Sequence, residues 1–140
     1  MDSTEQKIPR PVDKQRKKIF HSGKKNGRHT VKTQLMVNNR GYIVHKVAHK
    51  KGKRHDYNIY KENHNVIPKQ VVTVVDLGYL GMEKDFPEQL FALSSKKKRN
   101  QCLSQEEKDY NKIHSRMRIV VEHTISRLKK IYDNESCVQK

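Results

Sequence analysis

The sequence has no tryptophan, only three phenylalanines, and no apolar run near the roughly 18 residues that a membrane span requires. It also carries no signal peptide. These absences exclude a membrane-spanning or exported chain and predict a soluble protein of the cytoplasm. Cysteine is scarce as well. Cys102 and Cys137 lie far apart and form no C-x-x-C pair, which excludes a disulfide framework and a zinc site and leaves reduced thiols. Acidic residues are thin and uneven. The first 54 residues hold 16 Lys+Arg against 3 acids, and the remaining residues hold 15 against 12. Apolar residues make up 33% of 140 and charged residues another 33%, with a mean hydropathy of −1.03. One domain with a small core is the most that such a chain can build.

What is abundant is positive charge. The net charge is +16 and the pI about 9.9. A front half this basic calls for a polyanion, and nucleic acid is the first candidate. An acidic membrane surface is the alternative, but no amphipathic basic helix supports it.

The most apolar stretch is Val71 to Gly81, VVTVVDLGYLG. Its β-branched run, Val71 to Val75, has the composition of a strand buried on both faces. The run stops at Asp76, followed by Gly78 and Gly81. A strand that delivers a carboxylate from its carboxyl end into a glycine-punctuated turn is how an α/β sheet presents an acid to a site. A turn aspartate after a core strand fits the same residues.

Elsewhere the chain reads as follows. Residues 5–28, with Pro9, Pro11 and a run of Lys and Arg, predict an extended basic loop or a disordered tail. Polar and apolar residues alternate from His29 to Val37, predicting a half-buried strand. Asn38-Asn39-Arg40-Gly41 is a turn, and Tyr42 to Val47 is the returning strand. His49 to Asp56 is a second basic loop, with Asp56 as N-cap of a short helix Tyr57–Glu62. Glu83 to Leu93 reads as loop, and Lys96-Lys97-Lys98-Arg99 as a third basic cluster. Ser104-x-x-Glu107 is a capping box, predicting a long helix over 105–132. Its apolar stripe is Ile113, Met117, Val120/Val121, Ile125, Leu128 and Ile131.

On that helix Arg118, Glu122 and Lys129 share one face beside the stripe. An Arg–Glu pair at this spacing is also an ordinary surface feature. The ordered set is more specific: Asp2-Ser3-Thr4, a hairpin, a short helix, Asp76-Leu77-Gly78-Tyr79, and Arg118-x3-Glu122-x6-Lys129. This set resembles the catalytic domain of DDE-class insertion-sequence transposases, in the bacterial branch related to the PIF/Harbinger elements, over almost the whole chain. A family-like G-x-x-H-D element is present as Gly52, His55 and Asp56. Ser115 stands where the family has tyrosine, which weakens a substrate-side contact and leaves the metal site intact.

The resemblance implies an α/β, RNase H-like mixed sheet with flanking helices. It implies Asp2, Asp76 and Glu122 as catalytic metal ligands for Mg2+ or Mn2+, two ions in all, since three crowded carboxylates need divalent cations. It further implies Arg118 and Lys129 on DNA phosphates. Lys24, Lys25, Arg28, Lys50, Lys51, Lys53, Arg54 and His55 would supply sequence-independent DNA affinity from the basic loops. Asp56 is the rival for the second carboxylate, although N-capping accounts for it. A zinc pair of His45 and His49 is not supported, because no helix is predicted there. DNA, as element ends and target, is the implied partner, with a homo-oligomer in the active complex and a nucleoid location.

Only Met1 precedes Asp2, so the strand leading to the first acid is missing from the family pattern. The chain therefore reads as a truncated copy or the downstream half of a split frame, weak or inactive in catalysis alone. The competing class is a small, non-catalytic basic nucleic-acid-binding protein. Geometry separates the two: a shared metal cluster requires the Asp76 and Glu122 carboxylates within about 10 Å.

Overall fold

The computed structural model describes residues 1–23, 27–63, 67–97, 99 and 102–138, excepting the side chains of 48, 49 and 132–138. In chain order the elements are β1 (Asp2–Lys7), α1 (Lys14–Phe20), β2 (Thr30–Val37), β3 (Ile43–Lys51), α2 (Asp56–Asn63), β4 (Val72–Val75), α3 (Met82–Asp85), β5 (Leu90–Leu93) and α4 (Gln105–Val138). The architecture is mixed α/β. β1, β2 and β3 form an antiparallel sheet with β2 in the middle, and β4 and β5 pair in parallel. The Met1 amino group donates to the Val74 carbonyl at 2.7 Å, tying the head of β1 to β4. No helix among the described residues is long and apolar enough to cross a membrane.

The basic loop predicted over 5–28 is corrected. Glu5 to Lys7 belong to β1, whose register runs from Asp2 opposite Leu35 to Lys7 opposite Thr30. Asp2 thus lies in a strand built from the residues that follow it. Pro9 and Pro11 precede α1 rather than forbid it, and the side chain of Asp13 accepts from Arg16 N at 2.7 Å as its N-cap. Lys24 and Lys25 lie outside the described residues.

The predicted hairpin turn forms. Asn38 N donates to Tyr42 O at 2.9 Å, and the Asn38 side chain accepts from the backbone of Arg40 and Tyr42. Gly41 takes φ +85°, open to glycine at no steric cost. The strand on either side differs from expectation. β3 continues to Lys51, so Lys50 and Lys51 are strand residues opposite Lys32 and Val31. β2 is covered on both faces, with Leu35 and Gln34 both buried. α4 packs over the Leu35 face, where Val121 and Ile125 complete a small cluster. The polar face is covered instead of solvated: Gln34 Nε2 donates to Asp56 O and to the Tyr79 hydroxyl, while its Oε1 is buried without a partner among the described residues.

β4 is corrected in the opposite sense. Val75 is fully buried, but Val71 and Val72 are 47% and 56% exposed. β5, predicted as loop, exists as the parallel partner of β4. The main core gathers Tyr60, Ile67, Val75, Tyr79 and Met82 around Met1. The capping box of α4 forms as predicted, with Ser104 and Glu107 each accepting from the other's backbone N–H. The helix runs six residues beyond the predicted end at 132, to Val138. The middle of the predicted stripe, Val121, Ile125 and Leu128, faces inward, and its two ends do not. His114, Val121 and Ile125 are buried, whereas Ile113, Met117 and Ile131 are more than half exposed. Tyr110, Ile113 and Met117 line an apolar hollow with Val71 and Val72.

Candidate active site

Two strand ends and one helix build the site. Met1 and Val74 are hydrogen-bonded, so Asp2 and Asp76, one and two residues further on, lie on the same seam between the sheets. Each aspartate is braced by its own chain. Asp2 Oδ1 accepts from Ser3 N at 2.7 Å, and Asp76 Oδ1 accepts from Leu77 N at 2.6 Å. Asp76 thereby caps the 3-10 turn Leu77–Tyr79.

α4 brings Arg118 and Glu122 onto this seam. Arg118 Nη1 lies 3.4 Å from Asp76 Oδ1, while Nη2 lies 3.7 Å from Asp2 Oδ2 and 3.3 Å from Glu122 Oε1. One guanidinium therefore gathers all three acids that the sequence singled out. The Asp2 and Glu122 oxygens that share Nη2 are at most about 7 Å apart, two charge-assisted contacts end to end. Asp76 and Glu122 reach the same planar group from its two nitrogens, inside the ~10 Å required of a shared cluster. The Asp2 side chain is largely covered, whereas Asp76 and Glu122 are about half exposed, open to a ligand from solvent.

Two residues without predicted roles hold this geometry. His114 Nε2 lies 3.0 Å from both Val75 O and Ala92 O, clasping β4 and β5 together one residue before Asp76. The Tyr79 hydroxyl lies 2.8 Å from Gln34 Nε2 and 3.2 Å from Ser3 Oγ, linking the turn after Asp76 to the residue after Asp2. Burial pushes this phenol above its ordinary range. Tyr79 could be found from the D-x-G-Y pattern. His114 could be found only from its i−4 spacing to Arg118.

Asp56 does not join the acids. It is the first residue of α2, and its Oδ1 accepts from Lys32 Nζ at 2.8 Å. The predicted N-capping role is thus replaced by an ion pair across to β2. Lys32 also reaches Arg54 O at 2.7 Å, and Glu5 accepts from Ser22 and Thr30 beside it.

The predicted DNA contacts are dispersed. The Arg118 guanidinium faces carboxylates rather than solvent. Arg54 pairs with Glu62 through its guanidinium. Lys51, Lys53, His55 and Lys129 are exposed, Lys50 half-buried and Arg28 exposed on a separate basic hollow. Ser115 is exposed on α4.

The donor set can be tested against a divalent ion. Three carboxylates and one guanidinium leave two formal negative charges, and all the acid donors are hard oxygens, suited to Mg2+ or Mn2+. Arg118 Nε is buried and has no partner among the described residues, so its present set of contacts leaves one donor unmet. No group of three His, Cys, Asp or Glu among the described residues is close enough to hold an ion as it stands, because Arg118 separates the carboxylates. In donor chemistry the residues fit.

Comparison with known proteins places the chain in a family. A family model described as DDE superfamily endonuclease matches residues 1–137. The chain is 38% identical over 129 residues to "Probable transposase for insertion sequence element IS702" of Microchaete diplosiphon, over 92% of this chain and 45% of that protein. It thus spans less than half the length of that relative. No solved structure matches it.

Proposed function

The chain belongs to the DDE superfamily endonucleases, and from that premise we propose that it carries the catalytic acids of an insertion-sequence transposase. The reaction is cleavage of DNA at the element end and transfer of the freed 3′-hydroxyl to target DNA. The observation that carries this reading is the convergence of Asp2, Asp76 and Glu122 on Arg118. An RNase H-like arrangement, the PIF/Harbinger-related branch, a homo-oligomeric active complex and a nucleoid location belong to the same reading.

Asp2 and Asp76 would share one Mg2+ or Mn2+, with Glu122 completing a second site. Bound there, the ions supply charge neutralisation for the attacking and leaving oxygens of an in-line phosphodiester displacement. The chain's own contribution is placement. The Met1–Val74 bond and the Tyr79 hydroxyl set the two aspartates side by side. His114 fixes the end of β4 against the helix that bears Glu122. Arg118 offsets one of the three carboxylate charges, and its guanidinium is the group in reach of a scissile phosphate at the same place. Lys129, just under two turns beyond Glu122 on an exposed face, suits a flanking phosphate.

Mn2+ titration followed by electron paramagnetic resonance tests the assignment. Asp2→Asn, Asp76→Asn and Glu122→Gln should each weaken Mn2+ binding at least about tenfold, and Asp56→Asn should leave it unchanged. Nicking of supercoiled plasmid in Mn2+, weak for this chain alone, should fall in the same order. Loss of binding in Asp56→Asn, with Asp76→Asn intact, would reverse the assignment.

A further inference from the structure

Away from the acids, the far end of β1, α1 and residues 27–29 enclose an open hollow of about 840 Å³. Five cations line it: Lys7 and Arg10 from one side, Lys17 and Lys18 from α1, and Arg28 from the third. No acid lines it. The acids on the neighbouring elements, Asp13 and Glu5, are already engaged. Asp13 accepts from the backbone of Arg16, and Glu5 accepts from Ser22 and Thr30. His21 and His29 close the back with their rings edge to face at 5.9 Å.

α1 has little core to hold it, with Ile19 and Phe20 only half-buried. None of its residues is buried, no acid occupies its first turn, and Lys14 sits three and four residues from Lys17 and Lys18. Like charges at those spacings oppose a helix by a few tenths of a kcal/mol per pair. An anion in the hollow would remove that repulsion. Cations set around a hollow, with Lys7 on β1 and Lys17 and Lys18 on α1, suit a chain of phosphates better than a flat lipid surface.

The position of the hollow gives a ruler. β1 runs from Asp2 in the acid site to Lys7 on the rim of the hollow. Five steps of extended strand span about 17 Å. Duplex DNA rises 3.4 Å per base pair, so that span is about five base pairs. We propose that this hollow holds the phosphate backbone of duplex DNA about five base pairs from the bond cut at the acids. The contact itself rests on the hollow alone, and the spacing rests on the nuclease reading of Asp2, Asp76 and Glu122.

Fluorescence anisotropy with a duplex of about 20 base pairs, in EDTA, tests the contact without cleavage. Lys17→Gln/Lys18→Gln should weaken binding roughly tenfold at moderate salt and reduce the slope of log K against log salt by about two. Lys17→Glu/Lys18→Glu should weaken it further, with the far-ultraviolet circular dichroism of each variant matching the parent chain. Lys108→Gln/Lys112→Gln, the same loss of charge on α4, should leave the slope nearly unchanged. An unchanged slope in the α1 variants, or an equal drop in both pairs, overturns the proposal. Phosphate-ethylation interference on DNA with a defined cleavage site should then mark phosphates about five base pairs from the cut. Marks elsewhere overturn the spacing. Cleavage that ignores Asp76 while the slope still depends on Lys17 and Lys18 would overturn the nuclease reading and the spacing and leave the contact standing.

Discussion

Arg118 Nη1 lies 3.4 Å from Asp76 Oδ1, joining the long helix to the carboxyl end of β4. The same guanidinium holds Asp2 and Glu122, so one cation bridges an acid site drawn from three elements. Such a site should respond to its cation and to metal in opposite ways.

Arg118→Ala leaves three converging carboxylates without their guanidinium. In EDTA it should destabilise the fold by about 1–2 kcal/mol, a modest figure because Asp76 and Glu122 are half exposed. Millimolar Mg2+ should raise the melting temperature of the variant more than that of the parent chain. Equal responses in a melting scan would show that the acids do not compete for one cation.

His114 is buried and bonds the last residue of β4 and a residue of β5. His114→Ala should cost about 2–3 kcal/mol, since two carbonyls lose a donor and a cavity forms. His114→Gln, which can still donate, should recover part of that. Urea midpoints measure the stability. If His114 positions Asp76, Mn2+ affinity should fall in the alanine variant and recover in the glutamine variant.

Gly52 packs against β2 so closely that an added Cβ would lie 1.8 Å from Thr30 Oγ1 and 2.9 Å from Thr30 O. The hydroxyl could rotate away, but the carbonyl cannot without moving the sheet. Gly52→Ala should therefore destabilise by about 2–3 kcal/mol. A urea midpoint within error of the parent chain would refute this packing.

The Met1 amino group is held at a pKa of about 6 instead of 8.0, chiefly by burial, with Asp2 raising it and Arg118 lowering it. Between pH 6 and 8 the unfolded chain therefore carries more protons than the folded one. Stability should rise with pH across that window by up to about 3 kcal/mol, and the gain should be lost as pH falls back to 6. Comparison with chain acetylated at this amine isolates the effect. Parallel stability curves would show that the amine is not buried in the fold.

Features set by neighbours in sequence were legible without a structure. The Ser104–Glu107 box, the turn at Asn38–Gly41 and the order of Asp2, Asp76, Arg118 and Glu122 depend on groups a few residues apart or on their order in the chain. Helix α1 was missed because its proline and lysine content argues against helix, while Asp13 capping Arg16 is a single short-range signal. β5 was missed because Leu90 to Leu93 become a strand only beside β4.

The sequence by itself determined the charge asymmetry, the long capped helix, and which acids and which arginine are available. Only the tertiary structure decided which faces are covered. β2 alternates like a half-buried strand, yet α2 and the Tyr79 turn cover its polar side and supply partners for Gln34 and Lys32. β4 looks like a strand buried on both faces, yet Val71 and Val72 remain open. The same packing turned the first half of α4 so that His114 and Arg118 face inward in place of Ile113 and Met117, and it sent Asp56 to Lys32 and Asp76 to Arg118. Burial and charge pairing are fixed by whichever distant segment arrives at a surface, and hydrophobic periodicity records only that one face is fit to be covered.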